Sequence, residues 1–272
     1  MPRQRHWSSC VRLYLLATLV SKASVQAANL KPEIVEQFND YIREVEGRLA
    51  PLSQGEHFLW SDQSPKARAQ VAAGQIAVEA AKNKGMIEIN GGMIQDWQGA
   101  VFINGAKLDQ VLRVVQDYPN HAKYYSPDVM TSKVVSRSGD HWLVVMRTLK
   151  SKLFLSDVLE TENDITFVPV NTTKVYAIAK STRIQEVADS GKDNEHLLPE
   201  GRDRGLLWRL YGYWFYEERD GGVYVECESV TLTRDVPFGM GALVAPIIRN
   251  VPGESLRSSL EHTRQAVLRE AR

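Results

Sequence analysis

Residues 207–233 read LWRLYGYWFYEERDGGVYVECESVTLT and predict a β-hairpin. The segments Leu207–Glu218 and Val223–Thr233 are rich in aromatic and β-branched residues, and Asp220-Gly221-Gly222 between them favours a tight turn. Side chains alternate between the two faces of a strand, so the turn also predicts which residues share a face. We expect one face to carry Tyr211, Tyr213, Phe215, Tyr224, Glu226 and Glu228. The opposite face, the better candidate for burial, carries Gly212, Trp214, Tyr216, Val225, Cys227 and Ser229.

More strands precede this hairpin along the chain. Alternating or continuous apolar runs predict strands at 97–103, 129–137, 141–149, 154–160, 165–170 and 175–187, with turns at 138–140 and 161–164. A short helix is expected from Leu108 to Val115, since Tyr118-Pro119 interrupts it. The middle of the chain therefore contains one long β-rich tract.

Helical patterns occupy both ends of the chain. Apolar residues recur at three- and four-residue steps from Leu30 to Ala50, and Ser64-Pro65 is a typical helix start. Between Gln75 and Ile89 two alternatives remain open: strands 75–79 and 86–89 paired as a hairpin, or a helix continuing to Ala81.

The C-terminal segment predicts two helices. Residues 238–249 are apolar, Pro252 starts a second helical pattern, and Pro246 and Pro252 are expected to kink or split the segment. One antiparallel sheet with a long helix laid across it is an α+β architecture. We therefore predict an α+β fold with a small N-terminal helical extension.

Four segments resemble a known superfamily. They are residues 106–119, 132–140, 208–228 and 251–260, and they are similar to the first helix, second strand, final hairpin and closing helix of START-like proteins. This superfamily has the helix-grip fold and includes the polyketide cyclase/dehydrase and Bet v 1-like proteins, among them exported bacterial members. The resemblance covers about residues 86–272. It implies a cavity between a curved sheet and the C-terminal helix, and it implies no shared catalytic set.

The N-terminus is typical of an export signal. Arg3, Arg5 and Arg12 precede the apolar stretch 13–20, and Val25-Gln26-Ala27 offers a cleavage site after Ala27. We predict a signal peptide at 1–27, a helical extension at 28–85 and a helix-grip domain at 86–272. The mature protein is then expected to be periplasmic or secreted.

Composition narrows the classes of function. Lys+Arg and Asp+Glu are both 33, so the chain lacks the basic character typical of nucleic-acid-binding proteins. None of the six histidines lies at ligand spacing from another histidine or a cysteine, so we expect no metal and no cofactor. Removal of the signal peptide would leave Cys227 as the one cysteine, in a predicted strand, which indicates a buried structural thiol.

Several residues are candidates for contacts with an apolar ligand. Tyr118, Tyr124 and Tyr125 are expected at the mouth of the cavity, and Leu243, Ile247, Leu256 and Leu260 along its helical wall. Trp142 or Met146 would contribute a ligand contact from the sheet. The sequence leaves open which face of that strand points into the cavity. Arg147 either anchors a ligand carboxylate or is an outward charge paired with an acid.

These candidates lead to one hypothesis and two alternatives. The leading hypothesis is an exported, non-catalytic binding or carrier protein for a lipid-like or polyketide-like molecule. An enzyme of the cyclase, dehydratase or hydrolase type would use Glu226, Glu228 and Tyr213 as acid/base groups if these side chains point into the cavity. If they point outward instead, they form a solvated face. The other alternative is an envelope interaction protein with a filled core.

Contact of the terminal helix with a membrane surface is disfavoured because the basic polar face of an interfacial helix is missing. The oligomeric state stays open.

Overall fold

The computed structural model describes residues 30–52, 57–152, 155–200, 202–203, 207–234 and 241–271. For residues 150–152, 155–157 and 241–249 it describes the backbone alone. The predicted signal peptide at 1–27 lies outside the described residues.

The described chain contains five α-helices and ten strands. The helices are α1 (Pro32–Leu49), α2 (Pro65–Ala72), α3 (Leu108–Gln116), α4 (His121–Tyr124) and α5 (Gly241–Glu270). The first five strands are β1 (Ala77–Ala80), β2 (Met86–Ile89), β3 (Gly92–Asn104), β4 (Val129–Ser138) and β5 (His141–Lys152). The others are β6 (Leu155–Pro169), β7 (Lys174–Ala188), β8 (His196–Leu197), β9 (Arg209–Arg219) and β10 (Gly222–Arg234).

The strands form one antiparallel sheet in the order β1-β3-β10-β9-β7-β6-β5-β4, with β2 on β3 and β8 on β7. The hairpin predicted at 207–233 is present as β9 and β10, and Tyr213 pairs with Glu228 and Phe215 with Glu226, as its turn predicted. Strands β1 and β2 do not pair with each other but both pair with β3. The two predicted strands are therefore present, at 77–80 and 86–89, but their pairing as a hairpin was wrong, and so was the alternative of a helix continuing to Ala81. Residues 77–80 of the predicted extension belong to the sheet.

Two other predictions differ from the structure. Residues 155–169 form one strand with a bulge at Glu162/Asn163 instead of two strands and a turn, because β5 and β7 supply backbone partners on both sides along its length. The C-terminal segment is one helix, α5, in spite of Pro246 and Pro252. Packing on the sheet stabilises a helix beyond its local propensity, which physically accounts for both prolines being accommodated.

Each face of the sheet packs against a different helix. We call the face under α5 the inner face and the face under α1 the outer face. Helix α5 packs mainly on β3, where a Cβ atom on Gly99 would lie only 2.8 Å from Leu260 Cδ1. On the outer face, α1 buries six side chains: Ile34, Phe38, Tyr41, Ile42, Val45 and Leu49. Among the described residues the sheet thus separates two large apolar cores, and a smaller third cluster joins α2 to the sheet through Ala67, Val71, Ala77 and Ala100.

Candidate ligand groove

A continuous row of side chains crosses the inner face of the sheet. This row lies beside the contact of α5 with β3, not under it. Cross-strand pairing joins Trp142 to Ile165, Ile165 to Ala179, Ala179 to Gly212 and Gly212 to Ser229. Because Trp142 and Met146 are four residues apart in β5, both lie on this face. The orientation of this strand, which the sequence left open, places both residues on the inner face, and their contact with a ligand stays a prediction.

The floor of this row is apolar and incompletely covered. Met146, Ala179 and Trp214 pack against the inner core yet remain partly exposed. The Trp214 indole extends over Gly212, where a Cβ atom would lie 2.9 Å from Nε1, and its ring stacks on Tyr216 with 6.5 Å between centroids. These residues form a partly exposed apolar and aromatic patch, and we call Met146, Ala179, Trp214 and Gly212 the groove floor.

Polar side chains border the groove floor on one side. Asn163 Nδ2 donates to Thr161 Oγ1 at 2.9 Å, and the Leu210 N–H donates to Ser181 Oγ at 3.0 Å. Asn163, Thr161 and Ser181 are all buried. Hydrogen bonds within the sheet satisfy part of the hydrogen-bonding capacity of these three side chains. None of the three carries a charge, so this border of the groove floor is neutral.

Aromatic side chains close the opposite end of the row. Tyr118 makes an edge contact with Trp142, with ring centroids 5.4 Å apart, and lies 4.7 Å from His121. Tyr125 lies 4.9 Å from His121 and its hydroxyl hydrogen-bonds Thr263 Oγ1 of α5 at 3.0 Å. Tyr118 and Tyr124, expected at a cavity mouth, are both buried, and the Tyr124 hydroxyl donates to Asp117 at 2.8 Å.

Burial keeps this aromatic end uncharged at neutral pH. Desolvation lowers the pKa of His121 to about 4, although hydrogen bonds to the backbone of Val115 and Val114 act in the opposite direction. Desolvation also raises the pKa of Tyr118 and of Tyr216, and the neighbouring hydroxyl of Tyr125 raises both further. The histidine is therefore a neutral ring and the tyrosines are neutral phenols.

The predicted helical wall is only partly within the described side chains. Leu256 and Leu260 are buried against Gly99 of β3, so they fill the space between helix and sheet. The side chains of Leu243 and Ile247, also expected on this wall, lie outside the described residues.

Arg147 lies on the outer face, beside the inward-facing Met146. Its Nε donates to Glu160 at 2.8 Å and its Nη1 donates to Glu195 at 2.6 Å. Glu195 also accepts from the Gly191 N–H at 2.8 Å, which fixes the loop after β7. Of the two alternatives for Arg147, the paired outward charge is the one observed, and an anchoring role in the groove was wrong.

The acid/base candidates are buried beneath α1, on the face away from the groove. Arg48 of α1 donates to both oxygens of Glu228 at 2.6 and 2.8 Å, and the Ser61 N–H is 3.3 Å from both oxygens of Glu226. The Tyr213 hydroxyl donates to Glu46 of α1 at 2.9 Å. Glu226, Glu228 and Tyr213 thus neither enter the groove nor face solvent, because the N-terminal segment covers them.

Asp96 joins these residues and was not singled out from the sequence. Its side chain is fully buried, Tyr41 donates to it at 2.7 Å, and Arg48 lies 3.6 Å away. Desolvation and the nearby Glu228 carboxylate raise the pKa of Asp96. Desolvation raises the pKa of Glu226 to about 7. Asp96 pairs with Val230, and this pairing depends on the register of β3 against β10. The local sequence around Asp96 does not determine that register.

The space beside these carboxyl groups is small. A void of about 10 Å³ lies between Glu226, Glu228, Leu49 and Phe58, which is room for about one water molecule. Among the residues that the structure describes, no three histidine, cysteine or acidic side chains are placed to hold a metal ion. None of the described helices is long and apolar enough to cross a membrane.

The order of elements and the position of α5 together decide the fold. A strand and short helices lead into a meander of antiparallel strands, the final hairpin returns to β3, and the long terminal helix rests across the inner face. This is the arrangement of a helix-grip fold, as the resemblance to START-like proteins implied. The predicted α+β fold class is thereby confirmed.

The solved structures to which this chain is similar include a lipid transfer protein and an aromatase/cyclase. A STAR-related lipid transfer protein from Xanthomonas axonopodis is 16% identical, with 65% of this chain and 99% of that chain covered and a TM-score of 0.39. The Zhui aromatase/cyclase from Streptomyces sp. R1128 is 12% identical, with 66% and 96% covered and a TM-score of 0.43. A START superfamily protein from Mycobacterium smegmatis is 9% identical, with 66% and 99% covered and a TM-score of 0.40. No family model matches the sequence, and no curated protein matches it.

The groove floor and its surroundings contain residues that sequence reasoning did not name as ligand contacts. Trp214 and Tyr216 were assigned correctly to the same face of the final hairpin, and their aromatic character was the available signal. Ala179 and His121 gave no signal, because a small residue and an isolated histidine become part of a site only through their neighbours in space.

Proposed function

We propose that this protein is an exported, non-catalytic binder or carrier of an apolar small molecule, which lies on the groove floor of the START-like domain. The observation that carries the proposal is the partial exposure of Met146, Ala179 and Trp214 on the inner face of the sheet. A partly exposed patch of apolar and aromatic side chains, bordered by a few neutral polar groups, is typical of surfaces that bind small molecules. Lipid-like and polyketide-like molecules have this apolar chemistry.

The position of the carboxyl groups favours binding over catalysis. Glu226, Glu228 and Asp96 are on the outer face, so the sheet separates them from a ligand on the groove floor. The void beside them has room for about one water molecule rather than for a substrate. Their contacts with Arg48, Tyr41 and Ser61 support a structural role in holding the N-terminal segment to the sheet.

The export part of the proposal rests on the sequence at 1–27. Native mass spectrometry of the mature protein, purified from its host and followed by organic extraction, tests export and binding together. We expect a mass that begins at Ala28 and a stoichiometric apolar ligand. A clean ligand-free mass, unchanged by a panel of lipids and quinones, would contradict the carrier function.

A filling substitution tests the location of the ligand. Ala179→Phe adds a ring on the groove floor and is expected to abolish ligand retention. Thr182→Phe, on the same strand but at an exposed position, is the matched control and should retain the ligand. Equal retention by the two variants would place the ligand elsewhere, whereas loss in both would indicate a general defect of β7.

A further inference from the structure

Asn-Gly sequences occur at two exposed positions of the chain, Asn90-Gly91 and Asn104-Gly105. Asparagine is among the thermally labile residues of proteins. Its side-chain amide carbon can be attacked by the backbone nitrogen of the next residue, and a glycine in that position places no Cβ atom beside the attacking nitrogen. Both pairs therefore have a local sequence that favours deamidation, but their surroundings in the fold differ.

The turn between β2 and β3 leaves the attacking group of the first pair free. Asn90 and Gly91 form this two-residue turn, both are exposed, and Gly91 has a φ of +83°. The N–H of Gly91 has no hydrogen-bond partner in the part of the chain that the structure describes. The Gly91 nitrogen is thus available to the side chain of Asn90, and solvent reaches both groups.

The second pair is held in the sheet. Asn104 is the last residue of β3 and pairs with Gly222 of β10. The Gly105 N–H donates to the carbonyl oxygen of Gly221 at 2.9 Å. This hydrogen bond must break before the Gly105 nitrogen can attack Asn104, so the fold protects the second pair.

The turn at Asn90 packs against the first half of α1. The Asn90 N–H donates to Gln37 Oε1 at 3.2 Å. A Cβ atom on Gly91 or Gly92 would lie 3.2 or 3.0 Å from a side-chain carbon of Ile34, which is buried beneath α1. The backbone of the turn therefore has little room to move without displacing Ile34.

We propose that Asn90 is a site of spontaneous deamidation, and that its isoaspartate product weakens the docking of α1 on the sheet. In the first step the backbone nitrogen of Gly91 forms a bond to Cγ of Asn90. The bond from Cγ to Nδ2 breaks, and ammonia leaves with the proton that the Gly91 nitrogen gives up. Water then opens the cyclic imide: its hydroxyl joins one of the two carbonyl carbons and its proton returns to the nitrogen.

The position of ring opening determines the effect on the fold. Opening at one carbonyl carbon gives aspartate, which keeps the normal main chain. Opening at the other gives isoaspartate, in which the main chain runs through the former side chain and the turn is longer by one carbon atom. The longer turn displaces Gly91 and Gly92 from Ile34, which loosens the first half of α1. Neither step involves the groove or a ligand.

Peptide mapping of the full chain, incubated at mildly alkaline pH, tests the site. We expect conversion at Asn90 to be several-fold faster than at Asn104, and to accelerate as pH rises because the attacking nitrogen must lose its proton. Asn90→Gln is the matched control, since it keeps the amide but would need a larger ring, and it should stay unconverted. Absence of conversion at Asn90, or equal rates at the two asparagines, would overturn the proposal.

Hydrogen exchange of the α1 amides, measured before and after the incubation, tests the effect on docking. We expect faster exchange in α1 and a lower urea midpoint for the incubated native chain, and no change for incubated Asn90→Gln. Fresh Asn90→Asp adds the charge without the extra main-chain atom and should remain close to the fresh native chain. Unchanged α1 exchange after conversion of Asn90, or an equal change in incubated Asn90→Gln, would overturn the effect on docking. Fresh Asn90→Asp that exchanges as fast as the incubated native chain would overturn the role of isoaspartate.

Discussion

Glu226 is a single buried residue whose chemistry makes the whole protein sensitive to pH. It is 2% exposed, and its hydrogen-bond partners in the N-terminal segment are the N–H and the side chain of Ser61 and the backbone of Trp60, without a cation paired to it among the described residues. Desolvation raises the pKa of Glu226 to about 7, from an ordinary value of 4.5. The folded state therefore holds a proton that the unfolded state releases at lower pH.

The sign of the effect follows from proton binding. Between pH 4.5 and about 7 the unfolded chain is ionised at this residue and the folded chain is not, so stability falls as pH rises through this window and is level above it. Glu226→Gln removes the titration. We expect the variant to gain about 2 kcal/mol relative to the native chain between pH 5 and pH 8, measured by urea unfolding at both values.

An equal difference between the two chains at pH 5 and pH 8 would contradict this prediction. The comparison between variant and native chain is needed because other groups also titrate. His121 in particular acts with the opposite sign, since its pKa is lowered and its contribution is lost as pH falls.

At the scale of elements, the contact of α5 with β3 fixes the position of the groove. This contact requires the absence of a side chain at Gly99, because a Cβ atom there would lie 2.8 Å from Leu260 Cδ1 and 3.0 Å from Leu256 Cγ. Both leucines are buried, so they have little freedom to move away. The approach of the helix is thus set by one small residue in the strand.

Gly99→Ala is therefore expected to lower the free energy of unfolding by about 1–3 kcal/mol, through overpacking. Gly47→Ala is the control: Gly47 lies in α1, and a Cβ there would have nothing within 4 Å. That change should raise the free energy of unfolding by about 0.5–1 kcal/mol. Urea unfolding measures both, and a stabilised Gly99→Ala would show that α5 can shift on the sheet.

At the scale of the whole molecule, the question is whether α1 and the sheet unfold together. Helix α1 buries Phe38 completely, in an edge contact with Tyr211 of β9 at 5.2 Å between ring centroids. The bonds of Arg48 to Glu228 and of Tyr41 to Asp96 add polar contacts between the same two elements. Because apolar and polar contacts join the same two elements, we expect the N-terminal segment and the sheet to unfold as one cooperative unit.

Phe38→Ala tests this cooperativity. Loss of a fully buried phenylalanine costs about 3–5 kcal/mol. We expect one unfolding transition at lower denaturant, coincident by tryptophan fluorescence and far-ultraviolet circular dichroism, since Trp142 and Trp214 report on the inner face. Val135→Ala at an exposed position of β4 should change stability by less than about 0.5 kcal/mol. Two separate transitions in Phe38→Ala would show that α1 is an independent flap.

The sequence by itself determined what depends on local periodicity and on turn chemistry. The final hairpin, the faces of its residues, the helix at 32–49 and the terminal helical segment all follow from spacing along the chain. The same spacing assigned Trp214 and Tyr216 to the buried face. The α+β class follows as well, because the order of strands and helices restricts how they can pack.

Only the tertiary structure decided what depends on partners distant along the chain. Whether Glu226 and Glu228 faced ligand or solvent depended on the N-terminal segment. There Ser61, 165 residues earlier, hydrogen-bonds Glu226, and Arg48 of α1, 180 residues earlier, pairs with Glu228. Strand β1 belongs to the sheet because β3 offers it an edge, and β6 is continuous because it has neighbours on both sides. Burial and hydrogen-bond pairing are properties of spatial neighbours, and a local pattern does not contain them.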